Sequence, residues 1–273
     1  MLSKNEIAQY SKHLLLPEIG MKGQELIKAA RVLVIGAGGL GCPVLQYLAA
    51  AGIGTIGIVD FDSVELHNLP RQILYSVNDT GKSKALTAAE KITAINPLIN
   101  IKVFNCRLEP SNAEEIIRDF DIVVDCSDNF QTRYLVNDVC VLLDKPFVYG
   151  GIYKSEGQLS VFNYRGANEK KGPTYRCIFP SRDSYATPLN CESAGVLNTL
   201  PGIIGIMQAN EVIKMITGAG EICSGKILLL NILRNSLEEI SFERDEKQWK
   251  GCPVSLEELK SLDYSNVCKT VQL

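Results

Sequence analysis

Between residues 31 and 151 the sequence repeats one alternation: a short run that is apolar almost throughout, a turn, then a stretch with helical spacing. The runs are RVLVIG, TIGIVDFD, NIKVFNC, DIVVDCSD and PFVYGG, and helices are predicted between them over 40–51, 82–95, 111–118 and 129–143. A strand that is apolar on both sides has to be covered on both, and a helical crossover returns the chain parallel to the strand it left. The pattern therefore predicts an α/β fold built on a Rossmann-like, mostly parallel, doubly wound sheet.

The flanks read differently. Residues 4–30 carry apolar positions at helical spacing in two blocks, Ile7, Tyr10, Leu14 and then Leu26, Ile27, Ala30. PEIGMKG separates them, with Pro17, Gly20 and Gly23 as breakers, so two N-terminal helices are expected. After Gly151 the period changes, and EGQLSVFNY alternates as an antiparallel strand. A polar stretch over roughly 164–190 is a candidate crossover or lid. GVLNTLPGIIGIMQANEVIKMITG reads as a long helix ended by Gly218, and GKILLLNILRNSLEEISFER as a hairpin with LRNS at its tip, together a C-terminal antiparallel extension. The apolar helix at 200–216 suits either a homodimer interface or a core helix behind the sheet. In the tail, VSLEELKSL forms a short helix opened by Ser255 with Glu258 three residues on.

Composition excludes several classes. With 46% of its 273 residues hydrophobic the chain buries a sizeable core. A net charge of −3 without a basic cluster leaves no electrostatic footprint for nucleic acid or a membrane surface. No apolar run reaches the ~20 residues of a membrane span, and MLSKNEIAQYSKHLLL lacks the pattern of a secretory signal, so a cytoplasmic protein is expected. Nine cysteines, mostly in apolar contexts such as VVDCSD and NDVCVLL, read as reduced thiols.

Gly36, Gly38 and Gly41 spell G-x-G-x-x-G, with Gly39 inside it, between a predicted strand and a predicted helix. That context lets backbone N–H groups and a helix N-terminus approach a phosphate. Asp60, nineteen residues past Gly41, ends the second strand, where a carboxylate accepts from ribose hydroxyls. These features alone fit NAD and ATP equally. DFDSVELHNLPRQ then sets Asp60, Asp62, Glu65, His67, Asn68, Arg71 and Gln72 beyond the second strand, and Lys82 and Lys84 open the next helix. Cations and amides there suit a triphosphate attacked at its α-phosphorus better than a hydride transfer. DIVVDCSDN brings Asp125, Asp128 and Asn129 to the same edge: Asp128 as a Mg²⁺ ligand beside the phosphates, Asn129 as the cap of the following helix.

GAGGLG, VDFDSVELHNLPRQ, GKSKA, INP, DCSDN, EGQLSVF, CESAGVLNTLPGIIGIMQANEVIK and SGKILL, in that order over roughly residues 5–255, closely resemble the MoeB/ThiF/HesA adenylyltransferases, relatives of the ubiquitin-activating enzymes. The resemblance implies a single ThiF-type adenylation domain over 1–273: N-terminal helices (1–30), a nucleotide-binding half (31–151), a carrier-binding half with the crossover (152–248) and a tail (249–273). It implies adenylation, with ATP and Mg²⁺, of the C-terminal glycine of a small ubiquitin-like sulfur carrier of MoaD/ThiS type ending in Gly-Gly. Pyrophosphate leaves, and the pathway is molybdopterin, thiamine or another sulfur route, served by a homodimer. Carried over by position, Asp60 binds the ribose, Asn68, Arg71 and Lys84 the phosphates, and Asp128 the metal. Lys12, in QYSKHLLL, stands where relatives use an arginine that reaches the neighbouring subunit's phosphates, keeping the charge without the bidentate fork. Cys191 takes the position of a sulfur-relay or thioester-competent cysteine, with an inert helix-start thiol as the alternative.

The chain also departs from that pattern. Relatives commonly hold a structural zinc with two C-x-x-C pairs, but here TYRC runs from Thr174 to Cys177 and CPVS from Cys252 to Ser255. Two thiolates fall short of a closed four-ligand shell, so no zinc is expected and Cys177 and Cys252 are expected to lie close together as remnants. Other readings stay open. An NAD-dependent oxidoreductase lacks a recognisable hydride-transfer pair, a non-catalytic carrier-binding relative is motivated by Lys12 and the broken pairs, and adenylation of a short ribosomal peptide shares the chemistry but not the substrate.

Overall fold

The computed structural model of the chain describes residues 1–166, 170–180, 195–249 and 252–264. Its sheet follows the predicted runs: β1 (Arg31–Ile35), β2 (Thr55–Val59), β3 (Asn100–Phe104), β4 (Ile122–Asp125) and β5 (Phe147–Tyr153) pair in parallel. β6 (Glu156–Phe162), β7 (Lys226–Asn231) and β8 (Ser236–Ser241) add antiparallel. The eight strands run β3-β2-β1-β4-β5-β6-β7-β8, so the winding reverses between β1 and β4, the point at whose carboxyl ends open α/β sheets bind ligands.

Successive side chains of β1 serve opposite faces. Val32 and Val34 join a core with Leu45, Leu48, Ile56, Ile58, Ile92 and Ile204. Leu33 and Ile35 join another with Phe120, Val123, Leu135, Val139 and Phe147. Helices α4 (Gly41–Ala51), α5 (Lys84–Ile95) and α9 (Thr199–Thr217) cover the first face, and α6 (Ala113–Arg118) and α7 (Phe130–Leu142) the second. Each fully buried aliphatic side chain contributes about 1.5–3 kcal/mol, so both faces drive folding. α9 is a core helix: Leu200, Ile204, Ala209 and Val212 are buried, while Ile203 and Ile206 stay partly exposed. It ends at Gly218, whose φ of +74° suits glycine.

The N-terminal expectation is corrected. The segment forms α1 (Lys4–Gln9), α2 (Ser11–Leu14) and α3 (Gly20–Ala29) rather than two helices. The first helical block breaks at Tyr10, whose hydroxyl accepts from the Asn96 amide at 2.8 Å and whose side chain is buried. Gly23 breaks nothing: it lies buried inside α3, where a Cβ would sit 3.1 Å from Ile19 Cγ2 and at ordinary contact distance, 3.4 Å, from Thr217 of α9.

In the C-terminal half the hairpin turns over 232–235, one residue earlier than expected. The described part of the polar crossover is not structureless, since Arg165 bridges to Lys171 and α8 (Tyr175–Ile178) follows. α10 (Leu256–Ser261) opens as expected, with Ser255 accepting from the Glu258 N–H at 3.1 Å. Among the described residues no helix is long and apolar enough to cross a membrane.

Candidate active site

The turn between β1 and α4 is shaped by its own packing. A Cβ at Gly41 would lie 1.9 Å from the Gly36 carbonyl oxygen, and one at Gly36, with φ +93°, would lie 2.8 Å from the Cys126 carbonyl oxygen. Those two glycines therefore let β1, α4 and the end of β4 meet. Gly38 is different, because its Cβ would meet only the Gln72 amide at 3.6 Å, and Gly39 faces Pro201 of α9. The backbone N–H groups of Gly38, Gly39 and Leu40 donate to no described residue. Unpaired donors at the start of an eleven-residue helix are an anion cradle.

Asp60 joins that turn to β2. Its Oδ2 accepts from the Ala37 N–H at 2.7 Å and its Oδ1 from the Asp62 N–H at 2.8 Å. Burial pushes its carboxyl upward against those two donors. A carboxylate so held keeps lone pairs for ribose hydroxyls. Asp62 is half-exposed and pairs with Lys84, Nζ to Oδ2 at 3.0 Å, although the lysine itself is buried at the start of α5. A buried ammonium whose partner faces solvent is placed to exchange that partner for a phosphate oxygen.

The intervening segment lies against the glycine turn, with the Gln72 amide 3.6 Å from a Cβ at Gly38 and the Arg71 carbonyl 3.7 Å from one at Gly39. Asn68 is buried, with its amide 3.1 Å from His67 Nε2 and its Oδ1 accepting from the Glu65 N–H at 3.4 Å. Arg71 donates to the His67 carbonyl at 3.0 Å. Gln72 is buried against the glycine turn, and its Oε1 has no hydrogen-bond partner among the described residues. Lys82 instead pairs with Asp79 at 3.3 Å and is more than half exposed, as a solvated lysine would be.

Asp128 and Asn129 follow β4 in a turn that touches the glycine turn through Cys126 and Gly36. Asn129 caps α7 by accepting from the Thr132 N–H at 2.9 Å. Asp128 is exposed, and its one hydrogen bond among the described residues is a long one from the Asn129 amide at 3.5 Å. Its oxygens are therefore open to a hard cation, which takes one or two carboxylates plus phosphate oxygens.

Sequence reasoning missed the side chains that hold these loops. The Tyr75 hydroxyl donates to the Ala37 carbonyl at 2.8 Å and lies 3.2 Å from the Lys84 carbonyl, joining the glycine turn to α5. Gln208 of α9 donates to the Asp125 carbonyl at 2.8 Å, and Arg133 of α7 to the Ser127 carbonyl at 3.1 Å. A lone tyrosine, glutamine or arginine carries no local signal.

Other expected residues stand apart. Lys12 is exposed on α2, and no hydrogen bond or ion pair joins it to these groups. Cys191 lies outside the described residues. Around the broken cysteine pairs, Cys177 Sγ accepts from the Thr174 N–H at 3.4 Å and lies 3.4 Å from its hydroxyl, closing the first turn of α8. Cys252 is buried in the field of Arg176 and Asp138, and burial pushes its thiol up to about 11. Asp138, fully buried, accepts both arms of Arg176 at 2.8 and 2.7 Å, the Tyr264 hydroxyl at 2.7 Å and the Asn137 amide at 2.9 Å. Among the described residues no group of three or more histidine, cysteine or acidic side chains is gathered to hold a metal.

The sequence profile of the ThiF family matches residues 10–254. The chain belongs to the ThiF family. Among ThiF relatives it is 44% identical, over 97% of its own length and 98% of the other's, to a protein of Thermus thermophilus named sulfur carrier protein adenylyltransferase. It is 43% identical to the adenylyltransferase and sulfurtransferase MOCS3 of Xenopus laevis, spanning 98% of itself and 58% of that longer chain. The ThiF fold is shared with Escherichia coli MccB, solved with MccA-N7isoASN, at a TM-score of 0.77 and 22% identity, over 89% of this chain and 74% of MccB.

Proposed function

We propose that this ThiF-family adenylyltransferase activates the C-terminal carboxylate of a small ubiquitin-like sulfur carrier protein ending in Gly-Gly. A carboxylate oxygen bonds to the α-phosphorus of ATP, the bond to the bridging oxygen of the β-phosphate breaks, and pyrophosphate leaves with its electron pair. The observation that carries the reading is the set of contacts around the glycine turn: Asp60 accepts from the Ala37 N–H, Lys84 pairs with Asp62, Gly38 faces the Gln72 amide, and Gly36 abuts the Cys126 carbonyl two residues before Asp128. The T. thermophilus relative, alike over nearly its whole length, supports the carrier as substrate.

In this reading Asp60 holds the ribose, and the N–H groups of residues 38–40 meet the phosphates. Lys84 leaves Asp62 for the phosphates, where Asn68, Arg71 and Gln72 add donors to the charge that grows on the departing pyrophosphate. Asp128 holds Mg²⁺, with Asn129 fixing the turn it sits on. Mg²⁺, when bound, supplies charge neutralisation and orientation of the phosphate oxygens. Lys12 acts across a homodimer on the other copy's phosphates, and Cys191 takes part in the later sulfur step. No zinc enters this account.

The experiment is to incubate protein, ATP, Mg²⁺ and a Gly-Gly carrier, and read the carrier's intact mass. Gain of one adenylyl group at the C-terminus is the expected result. Equal adenylation of a carrier lacking its last glycine overturns the reading.

A further inference from the structure

Asp128 has little side-chain support of its own, so the place its carboxylate occupies is set by the backbone of residues 125–128. The bonds to that backbone come from three elements. Asp125 Oδ1, at the end of β4, accepts from the Ser127 N–H at 3.0 Å and from its hydroxyl at 2.6 Å. Arg133, one helical turn into α7, donates Nη2 to the Ser127 carbonyl, and its guanidinium also lies against the Tyr149 ring, 5.2 Å from the centroid. Gln208, from α9, donates to the Asp125 carbonyl, and a Cβ at Gly150 would strike it at 2.5 Å, so the neighbouring strand leaves room for that amide and no more.

Asp125 is fully buried and Arg133 nearly so, yet Asp125 Oδ2 has no hydrogen-bond partner among the described residues. Burial raises the carboxyl's pKa while the Arg133 charge opposes the rise. Such a set is a costly way to stabilise a core, since packed apolar residues of similar volume often do as well or better. What it does do is fix peptide groups, and all three ties end on the peptide groups of residues 125–127.

We propose that Asp125, Ser127 and Arg133 are positioning residues for metal binding, holding the 126–129 turn so that the Asp128 carboxylate is presented to a Mg²⁺–nucleotide. The inference rests on the reading of Asp128 as the metal ligand. Outer partners of metal ligands typically change affinity 10–100-fold when removed, which sets the size of the effect.

The test uses the full chain with a non-hydrolysable ATP analogue and Mn²⁺ in place of Mg²⁺. Mn²⁺ binding is read by electron paramagnetic resonance and metal-free analogue binding by calorimetry. Ser127→Ala and Arg133→Met are expected to weaken Mn²⁺ about 10-fold, with metal-free analogue affinity unchanged and Arg133→Lys recovering part of the loss. Should Arg133→Met fail to fold, Ser127→Ala carries the test alone. Folded variants that hold Mn²⁺ like the parent, or that lose metal-free analogue affinity to the same extent, overturn the proposal. Asp128→Ala separates the two readings: if it leaves Mn²⁺ affinity intact, the ligand assignment fails. If it abolishes that affinity while Ser127→Ala and Arg133→Met change nothing, only the positioning role fails.

Discussion

Arg176→Met probes the buried ion pair between α7 and α8, whose carboxylate also accepts from Tyr264 of the C-terminal tail. Asp138 has no exposed side-chain area and Arg176 only 16%, with both guanidinium bonds under 3 Å, so the pair is little screened by solvent. Removing the arginine leaves a buried carboxylate that, among the described residues, keeps the Tyr264 hydroxyl and the Asn137 amide. Breaking a buried pair by taking one partner costs about 3–5 kcal/mol. In a domain of this size each kcal/mol moves the melting temperature about 2–4 °C, so calorimetry should record a fall of about 6–20 °C. Tyr264→Phe, which removes one bond to a charged group, should cost less, about 1.5–3 kcal/mol. Adding Asp138→Asn to Arg176→Met neutralises the orphaned charge and should recover much of the loss. A fall below about 2 °C for Arg176→Met, or no recovery in the double variant, would refute the claim that the substitution strands a buried charge between α7 and α8.

Four further outcomes follow from the same structure. A strong zinc chelator should leave the melting temperature unchanged, since Thr174 and Ser255 occupy two of the expected ligand positions and each closes a helix turn instead; a fall on chelation would point to a bound metal. Lys84→Ala should lower ATP–pyrophosphate exchange about 10²–10³-fold with little loss of stability, the usual size for one donor to developing charge. Tyr75→Phe should destabilise by about 1–3 kcal/mol, read from denaturant midpoints, because the buried Ala37 carbonyl loses its hydroxyl donor and keeps only the weak Cys42 thiol among the described residues. Glu6, held by Lys28 and the Ser3 N–H, has its carboxyl lowered from 4.5 to about 2. A depressed carboxyl stabilises above its unfolded value, so this contribution fades as pH falls from about 4.5 to about 2, and Glu6→Gln should flatten the melting profile in that window.

The sheet was legible because a period of alternating apolar strands and helices admits few architectures, and the glycine turn, Asp60 and Asp128 fell at strand ends where such sheets bind ligands. Helix starts at Asn129 and Ser255 were marked by capping chemistry that acts within three or four residues. What the sequence hid was long-range. Tyr10 breaks the first helix to meet Asn96, eighty-six residues on, and Gly23 reads as a breaker but lies buried inside α3. Tyr75, Arg133 and Gln208 act on backbone carbonyls of other elements, which no local pattern announces.

ATP–pyrophosphate exchange, with purified protein, Mg²⁺ and a panel of carriers ending in Gly-Gly, tests the central claim most directly. Exchange that depends on one carrier and vanishes with Asp128→Ala is the predicted result. Exchange that proceeds without any carrier, or ATP binding with no exchange on any member of the panel, would contradict it.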